Sequence, residues 1–365
     1  MVFSVTDRPN LPDVEWSPVV DGPDELTATW LSRALGRPVA SVSAERIGTG
    51  QTGATYRLRI ECHDGPSTLI AKVAAGDSAA RRRVRDGYRS EVGFYRDVAP
   101  TVEVATPRCW YGAIADDSMT FTLLLDDLSP RVPGVQAAAC TVDQARLAVA
   151  NLAALHAGRW NDVSVFDLAF IARPTTDGAA FLGSVVVAAT EIFVAHFDER
   201  LAADDVLTLR AAAQAMTPWQ LAAPEPFSVL HGDYRLDNLM FDSEGIDVVV
   251  VDWQTLAVGP PTRDLAYFLG TSLTVDDRRA AERQLVADYQ AAISERGVTD
   301  YDVDRCFDDY RLGQLQGPMI TTIGFAYATG ERSESADEMF LAMATRSCAA
   351  IRELDSLAAV AAAQR

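Results

Sequence analysis

The sequence predicts an α+β protein, with an antiparallel β-sheet and one key helix in its N-terminal part and a mainly helical C-terminal part. Residues 1–125 contain five short segments of strand-like character and one amphipathic helical stretch. After Asp126 the chain is rich in alanine and leucine at helical spacing. Residues 126–134 include two prolines and a glycine, a composition typical of a hinge.

These patterns predict two lobes, residues 1–126 and residues 127–365, with residues 1–22 as an N-terminal extension. A helical pattern at 24–35 precedes Gly36, a residue type that commonly ends helices. The predicted strands are residues 39–47, 55–61, 68–74, 104–112 and 119–125. The key helix of the first lobe is residues 81–98. The predicted helices of the second lobe are residues 141–158, 178–198, 201–216, 276–296, 303–328 and 336–363, interrupted by a β-like island at 228–254.

Composition excludes several classes of protein. Hydrophobic content of 48% and charged content of 23% are those of a globular chain. No apolar run reaches the roughly 18 residues that a membrane span needs, and the first residues lack the pattern of a secretory signal. The five cysteines are scattered without zinc-site spacing, which indicates reduced thiols in a cytoplasmic protein.

The charge is unevenly distributed along the chain. A net charge of −19 argues against nucleic acid or an anionic membrane surface as the main partner. Residues 1–125 hold 14 basic and 16 acidic side chains, whereas residues 126–365 hold 18 and 35. This acidity could serve solubility alone, or it could belong to a pocket that attracts a cationic substrate.

Lys72 is the one lysine of the chain, and the 31 other basic residues are arginines. It interrupts the apolar strand pattern of residues 68–74. A lysine ammonium is a compact point charge, which suits a position between nucleotide phosphates better than the planar fork of arginine does. Glu91, 19 residues later, could hold this ammonium in place, although it could also be a solvated helix residue.

A glycine pattern precedes the lysine strand. Gly48, Gly50 and Gly53 form a G-x-G-x-x-G sequence that a strand follows, so we expect them at the tip of a hairpin. Glycines there let backbone N–H groups close over phosphates. The pattern alone is weak, since an ordinary glycine-rich hairpin has the same sequence.

The most specific pattern is His231-Gly232-Asp233-Tyr234-Arg235-Leu236-Asp237-Asn238, placed between two predicted strands. An aspartate in a loop can take the proton of a substrate hydroxyl. An asparagine five residues later offers a side-chain oxygen to Mg²⁺. Arg235 could offset charge on a transferring phosphoryl group, or it could pair with Asp237 or lie at the surface.

A run of valines then ends at Asp252-Trp253-Gln254. A carboxylate at the mouth of a buried strand is suited to chelating Mg²⁺ that bridges nucleotide phosphates, although Asp252 could also cap the next turn. Asp264, in Pro261-Thr262-Arg263-Asp264, is expected to bind the backbone of the Asp233 loop.

In this order, the elements resemble the aminoglycoside phosphotransferase and choline kinase-like superfamily, which includes ecdysteroid-kinase-like sequences, over nearly the whole chain from about residue 40. The resemblance implies the two-lobe fold of protein kinases. It also implies that Asp233 is the catalytic base, that Asn238 and Asp252 bind Mg²⁺, and that Lys72 with Glu91 orients the phosphates. Adenine would pair with backbone groups near Leu125 to Asp127. The Asp233 loop also looks like that of phosphotransferase domains fused to acyl-CoA dehydrogenases.

We therefore expect a cytoplasmic kinase that uses ATP and Mg²⁺ to phosphorylate a hydroxyl of a small molecule. The acceptor could be an aminoglycoside, an amino alcohol or another hydroxylated metabolite, including a hydroxyacyl or steroid-type compound. A nucleotide-binding protein without catalysis is the alternative from another class, although all five expected active-site positions are intact. A protein kinase is disfavoured, because only about nine residues separate Gln254 from Asp264.

Overall fold

The computed structural model describes residues 17–48, 53–171, 175–222, 225–328 and 332–363. The chain divides into two compact units. Unit 1 consists of residues 1–100, 106–129 and 252–256, and unit 2 consists of residues 101–105, 130–251 and 257–365. The segment Asp252–Leu256 is thus grouped with the first unit, although its sequence neighbours on both sides belong to the second. The main division of the chain falls between Ser129 and Pro130.

Unit 1 is an antiparallel sheet with two helices. Its elements are α1 (Ala28–Leu35), β1 (Ser41–Ile47), β2 (Gly53–Glu61), β3 (Thr68–Ala74), α2 (Ser78–Gly93), β4 (Cys109–Ile114) and β5 (Phe121–Asp126). The strand order is β1-β2-β3-β5-β4, and all neighbours are antiparallel. Leu31 and Leu35 of α1 share one apolar core with Leu58 and Leu69 of the sheet. This core fixes β3, the strand that carries Lys72.

Local chemistry explains where these elements begin and end. Thr27 caps α1 by accepting a hydrogen bond from the Trp30 amide, and Gly36 ends the helix at φ +66°. The predicted strand at 104–112 begins only at Cys109. Pro107 has no amide hydrogen and so cannot donate to a neighbouring strand.

Unit 2 is mainly helical. Its elements are β6 (Val132–Pro133), α3 (Val142–Ala157), α4 (Thr176–His196), α5 (Ala203–Gln214), α6 (Met216–Leu221), β7 (Ser228–Leu230), β8 (Leu239–Phe241), β9 (Val248–Val250), β10 (Ala257–Gly259), α7 (Thr262–Ser272), α8 (Val275–Glu295), α9 (Val303–Gly313), α10 (Gln316–Tyr327), α11 (Glu334–Glu353) and α12 (Ser356–Ala362). β7 pairs with β10, and β8 pairs with β6 and β9. These short strands hold the two ends of the Asp233 loop.

The predicted helix at 303–328 is two helices, α9 and α10. Pro318 lies in the first turn of α10, where its missing amide hydrogen costs no helical bond. At Gly313, an added Cβ would lie 2.7 Å from the Thr262 carbonyl oxygen, so α9 approaches the start of α7 too closely for a side chain. The close approach at Gly313 follows from tertiary packing, whereas Pro318 is a local signal that the apolar periodicity does not contain.

Helix α4 corrects one expectation from composition. An 18-residue window within Thr176–His196 has a mean hydropathy of 1.9, so this helix is long and apolar enough to cross a membrane. Gly183 and Ser184 interrupt the apolar run, but the mean hydropathy of the window stays as high as that of a membrane span. Of that window, 39% is buried, and Val186 and Phe193 belong to apolar clusters of unit 2. Core helices of soluble proteins pass the same test, so it is weak evidence for a membrane span.

Candidate active site

Lys72 lies in the middle strand of the unit 1 sheet, paired with Thr55 on β2 and Leu123 on β5. Its ammonium forms an ion pair with Glu91, which is fully buried in the last turns of α2, and its Nζ lies 3.5 Å from Asp252 Oδ1. Burial alone would lower the pKa of Lys72, but the charges of Glu91 and Asp252 outweigh it and raise the pKa above its ordinary value. The ammonium is therefore held charged between two carboxylates.

Glu91 has a second partner that the sequence analysis did not identify. Its Oε1 accepts from Lys72, and its Oε2 accepts from Gln254 Nε2 at 3.1 Å. Gln254 packs closely on α2, since a Cβ added at Gly87 would lie 3.4 Å from the Gln254 Cβ. Both oxygens of the buried carboxylate are thus satisfied, which a buried charge requires.

The segment that contains Asp252 is anchored to unit 1 by the next residue. The Trp253 ring stacks on Phe94 with centroids 3.5 Å apart and an interplanar angle of 7°. The Trp253 Nε1 donates to Thr106 Oγ1 at 3.1 Å. Asp252 itself has φ +68°, a left-handed conformation that is uncommon outside glycine and is concentrated at functional sites.

Replacing Gln254 with alanine should lower the free energy of unfolding by about 1.5–3 kcal/mol, because a hydrogen bond to a buried carboxylate is lost. Thermal or denaturant unfolding measures this change. Gln284 is the matched control, since its exposed side chain donates through Nε2 to the partly exposed Asp288 carboxylate on the same helix. Gln284→Ala should change stability by less than about 0.5 kcal/mol. Equal losses in the two variants would contradict a specific role for Gln254.

In unit 2, Asp233 lies in the loop between β7 and β8 with a side chain that is 23% exposed. Its Oδ1 accepts from the Tyr267 hydroxyl at 2.8 Å. Its Oδ2 accepts from Asn238 Nδ2 at 3.2 Å and from Arg235 Nε at 3.3 Å. Three donors therefore fix the carboxylate while part of it stays open to solvent.

Arg235 forms the ion pair with Asp237 that was one of the alternatives its sequence position left open. Besides its contact with Asp233, its Nη1 lies 2.7 Å from Asp237 Oδ2, so the ion pair with Asp237 is present. The same Nη1 lies 3.0 Å from the Met339 sulfur of α11. Burial would lower the pKa of Arg235, but the Asp233 and Asp237 charges raise it, so the guanidinium stays charged.

The backbone of this loop is held by three buried side chains. Asp264, as expected, accepts from the His231 amide at 2.6 Å and the Gly232 amide at 3.1 Å. Gln316 donates to the Gly232 carbonyl at 3.2 Å, and Gln136 accepts from the Leu236 amide at 2.9 Å. Gly232 has φ +82°, a conformation that its lack of a Cβ permits. The loop conformation is thus set by contacts far apart in sequence.

The glycine turn and the expected adenine-binding segment both belong to unit 1. Gly48 has φ +68°, and a Cβ at Gly53 would lie 3.0 Å from the Val73 carbonyl oxygen. Gly50 lies outside the described residues. Leu125 pairs with strands on both sides, opposite Ile70 and Cys109.

Asp127 is an ion-paired residue in unit 1. Its carboxylate binds the Arg57 guanidinium, with Oδ2 2.9 Å from Arg57 Nε, and accepts from the Ser129 amide at 3.1 Å. This leaves the backbone groups of Asp127, and not its side chain, as candidates for contact with a nucleobase.

Two oxygen donors suit a hard cation such as Mg²⁺. Asp252 Oδ1 is buried and accepts no hydrogen bond within the described part of the chain. The Asn238 amide nitrogen donates to the Asp233 backbone oxygen at 2.8 Å, which leaves its side-chain oxygen as an acceptor. No group of three histidine, cysteine or acidic residues that could form a protein-only metal cage occurs in residues 17–48, 53–171, 175–222, 225–328 and 332–363. Mg²⁺ usually takes one or two protein ligands together with substrate phosphates, and each of these two side chains by itself offers an oxygen of the kind that it binds.

Comparison with known proteins gives a family and a fold. Residues 43–304 match the model of a family described as the phosphotransferase enzyme family. Over 51 residues the chain is 41% identical to mouse acyl-CoA dehydrogenase family member 10, a match that covers 14% of this chain and only 5% of that protein.

Three solved structures show a kinase-like fold at low sequence identity. Choline kinase from Cryptosporidium parvum superposes with a TM-score of 0.53 at 10% identity, covering 87% of this chain and 91% of that one. A candidate aminoglycoside phosphotransferase from Ralstonia eutropha gives 0.52 at 18% identity, covering 89% and 97%. The GDP and kanamycin complex of APH(2″)-IIIa gives 0.50 at 14% identity, covering 88% and 94%. The fold is therefore the kinase-like one, with a sheet in one unit and helices in the other.

Proposed function

This chain belongs to the phosphotransferase enzyme family, and we propose that it transfers the γ-phosphate of ATP to a hydroxyl group of a small molecule with the aid of Mg²⁺. The observation that carries this proposal is the Asp233 carboxylate, which is fixed by three donors and still partly open. A carboxylate so held suits general-base catalysis on a hydroxyl group.

In the proposed reaction, the acceptor oxygen attacks the γ-phosphorus and the bond from phosphorus to the β,γ-bridging oxygen breaks. The hydroxyl proton passes to Asp233, and ADP leaves with the bond electrons. Arg235, held charged beside Asp233, would offset negative charge on the transferring group. Catalysis then depends mainly on positioning and electrostatics.

The nucleotide side of the reaction is proposed for unit 1. Lys72, oriented by Glu91, would bind the phosphates, and the backbone amides of the turn from Gly48 through Gly50 to Gly53 would cover them. Backbone groups near Leu125 and Asp127 would bind the adenine. Asn238 and Asp252 would hold Mg²⁺, which when bound neutralises charge that develops on the phosphates.

The acceptor is proposed as a small hydroxylated molecule, either cationic or neutral. Choline kinase and APH(2″)-IIIa, the latter with kanamycin, share the fold, and they motivate amino alcohols and aminoglycosides as first candidates. The acidic excess of residues 126–365 favours a cation. Ion pairs of unit 2, such as Arg352 with Asp205 and Arg210 with Glu191, use one charge of each sign and leave this excess unchanged. The excess could equally serve solubility, so neutral acceptors belong in the same screen.

We propose a cytoplasmic location, since all five cysteines are free, as expected of a reducing compartment. We propose no role for nucleic acid or membranes. The helix α4, although apolar, contributes side chains to the apolar clusters of unit 2.

An acceptor screen tests the proposed activity. ADP release from ATP with Mg²⁺ would be measured with choline, kanamycin, an uncharged polyol, a hydroxy acid and a hydroxysteroid, and phosphorylated products would be identified by mass spectrometry. We expect at least one acceptor to raise ADP release well above the rate with water and to gain one phosphate. GTP in place of ATP tests nucleotide choice. Nucleotide binding without transfer to any acceptor would favour a non-catalytic binding protein.

A further inference from the structure

Tyr267, on helix α7, carries the further inference, which rests on the proposed phosphotransfer. We propose that Tyr267 is a positioning residue that holds the Asp233 carboxylate in the orientation required to accept the substrate proton. Its hydroxyl donates to Asp233 Oδ1 at 2.8 Å, and its side chain is fully buried. Neither the sequence patterns nor the family match assigns a role to this tyrosine.

The position of Tyr267 on α7 supports this role. Asp264 lies three residues earlier, one turn away on the same side of the helix. Asp264 fixes the backbone of the loop through the His231 and Gly232 amides, and Tyr267 fixes the side chain of the next residue, Asp233. One helix therefore controls both the path of the loop and the direction of its carboxylate.

The two oxygens of the Asp233 carboxylate have different hydrogen-bond partners. Oδ1 accepts from a fully buried phenol, whereas Oδ2 accepts from Arg235 and Asn238, whose contacts are longer, at 3.3 and 3.2 Å. The Tyr267 side chain is itself confined, because it is fully buried in unit 2. A rigid donor on one oxygen restricts rotation of the carboxylate, and small misplacements of a reacting group reduce rates strongly.

Tyr267→Phe removes one oxygen atom and keeps the ring that fills the site. We expect kcat for ADP release, with water and with the best acceptor of the screen, to fall about 10- to 100-fold. The KM for ATP should stay within about twofold, because the bond does not involve the groups proposed to bind nucleotide. A merely structural loss would instead raise the KM for ATP, whereas a fall in thermal stability is expected of either role.

Tyr310→Phe is the matched control. Tyr310 is also fully buried and also donates to a carboxylate, Glu282 Oε2 at 3.1 Å. These two residues lie on α9 and α8, and not on α7. Its substitution should lower the melting temperature by as much as Tyr267→Phe does, while kcat stays within about twofold of the wild-type value. Equal kcat losses in the two variants would overturn the positioning role.

A double-mutant cycle with Asp233→Ala completes the test. Without the carboxylate there is nothing for Tyr267 to orient, so adding Tyr267→Phe should reduce the residual rate by less than about twofold. A kcat of Tyr267→Phe within twofold of wild type, or an undiminished effect in the Asp233→Ala background, would overturn the proposal for Tyr267 alone. A wild-type chain that releases no ADP with any acceptor would overturn the proposed phosphotransfer as well.

Discussion

Asp233→Asn is expected to lower kcat about 100- to 10,000-fold, the range that a positioned general base contributes. The amide keeps the size of the side chain and can still accept from Tyr267, but it cannot take the hydroxyl proton. Nucleotide binding should be retained, because the proposed phosphate ligand Lys72 and Glu91, which orients it, belong to the other unit. Steady-state ADP release and a nucleotide titration measure the two properties on the same preparation.

The control for this variant is Asp309→Asn. Asp309 is a half-buried carboxylate of α9 that accepts from the Tyr301 hydroxyl at 2.8 Å, so the substitution is chemically the same at a position outside the loop. Its kcat should stay within about twofold of wild type. Unchanged turnover in Asp233→Asn would exclude Asp233 as the base and move the search to another group.

Lys72→Arg should lower kcat/KM for ATP by at least about 10-fold while leaving the fold intact. The guanidinium keeps the charge that Glu91 needs, so the buried ion pair is replaced and not broken. A planar fork spreads its charge over a larger group than the ammonium, in a side chain that is only 16% exposed. The substituted side chain should therefore satisfy Glu91 without presenting a compact charge to the phosphates.

The melting temperature of Lys72→Arg should thus stay nearly unchanged, whereas its kcat/KM for ATP should fall. Arg210→Lys is the comparison, because it exchanges the same two residue types in an exposed ion pair with Glu191. That change should alter neither property measurably. Full activity in Lys72→Arg would contradict the view that this position requires the compact charge of an ammonium group.

The groups that sequence could predict are those whose chemistry conflicts with their surroundings. Lys72 is a cation in an apolar strand, and Asp252 is a carboxylate after a run of valines. Such a charge must find a partner. The structure brings Lys72 together with Glu91 and Asp252, and it binds Asp264 to the loop backbone. The functional roles of these residues remain predictions that the variants above address.

The groups that sequence missed are neutral side chains with a specific partner far along the chain. Gln254 and Gln136 show no periodic or charge pattern, because amides are common on any surface. Tyr267 looks like an ordinary core residue of an apolar helix. Its distance of three residues from Asp264 was the one available signal, since a helix places such residues on one face. Their partners are fixed by tertiary packing, which local patterns do not encode.

Labelling with a lysine-reactive acyl-phosphate analogue of ATP tests the central claim most directly. The chain has one lysine, so the side-chain reaction has a single possible site, with the α-amino group as the other amine. We predict labelling at Lys72 that excess ATP with Mg²⁺ suppresses and that Lys72→Arg abolishes. Labelling of Lys72 that ATP does not suppress would show an exposed amine and contradict a nucleotide site at this position.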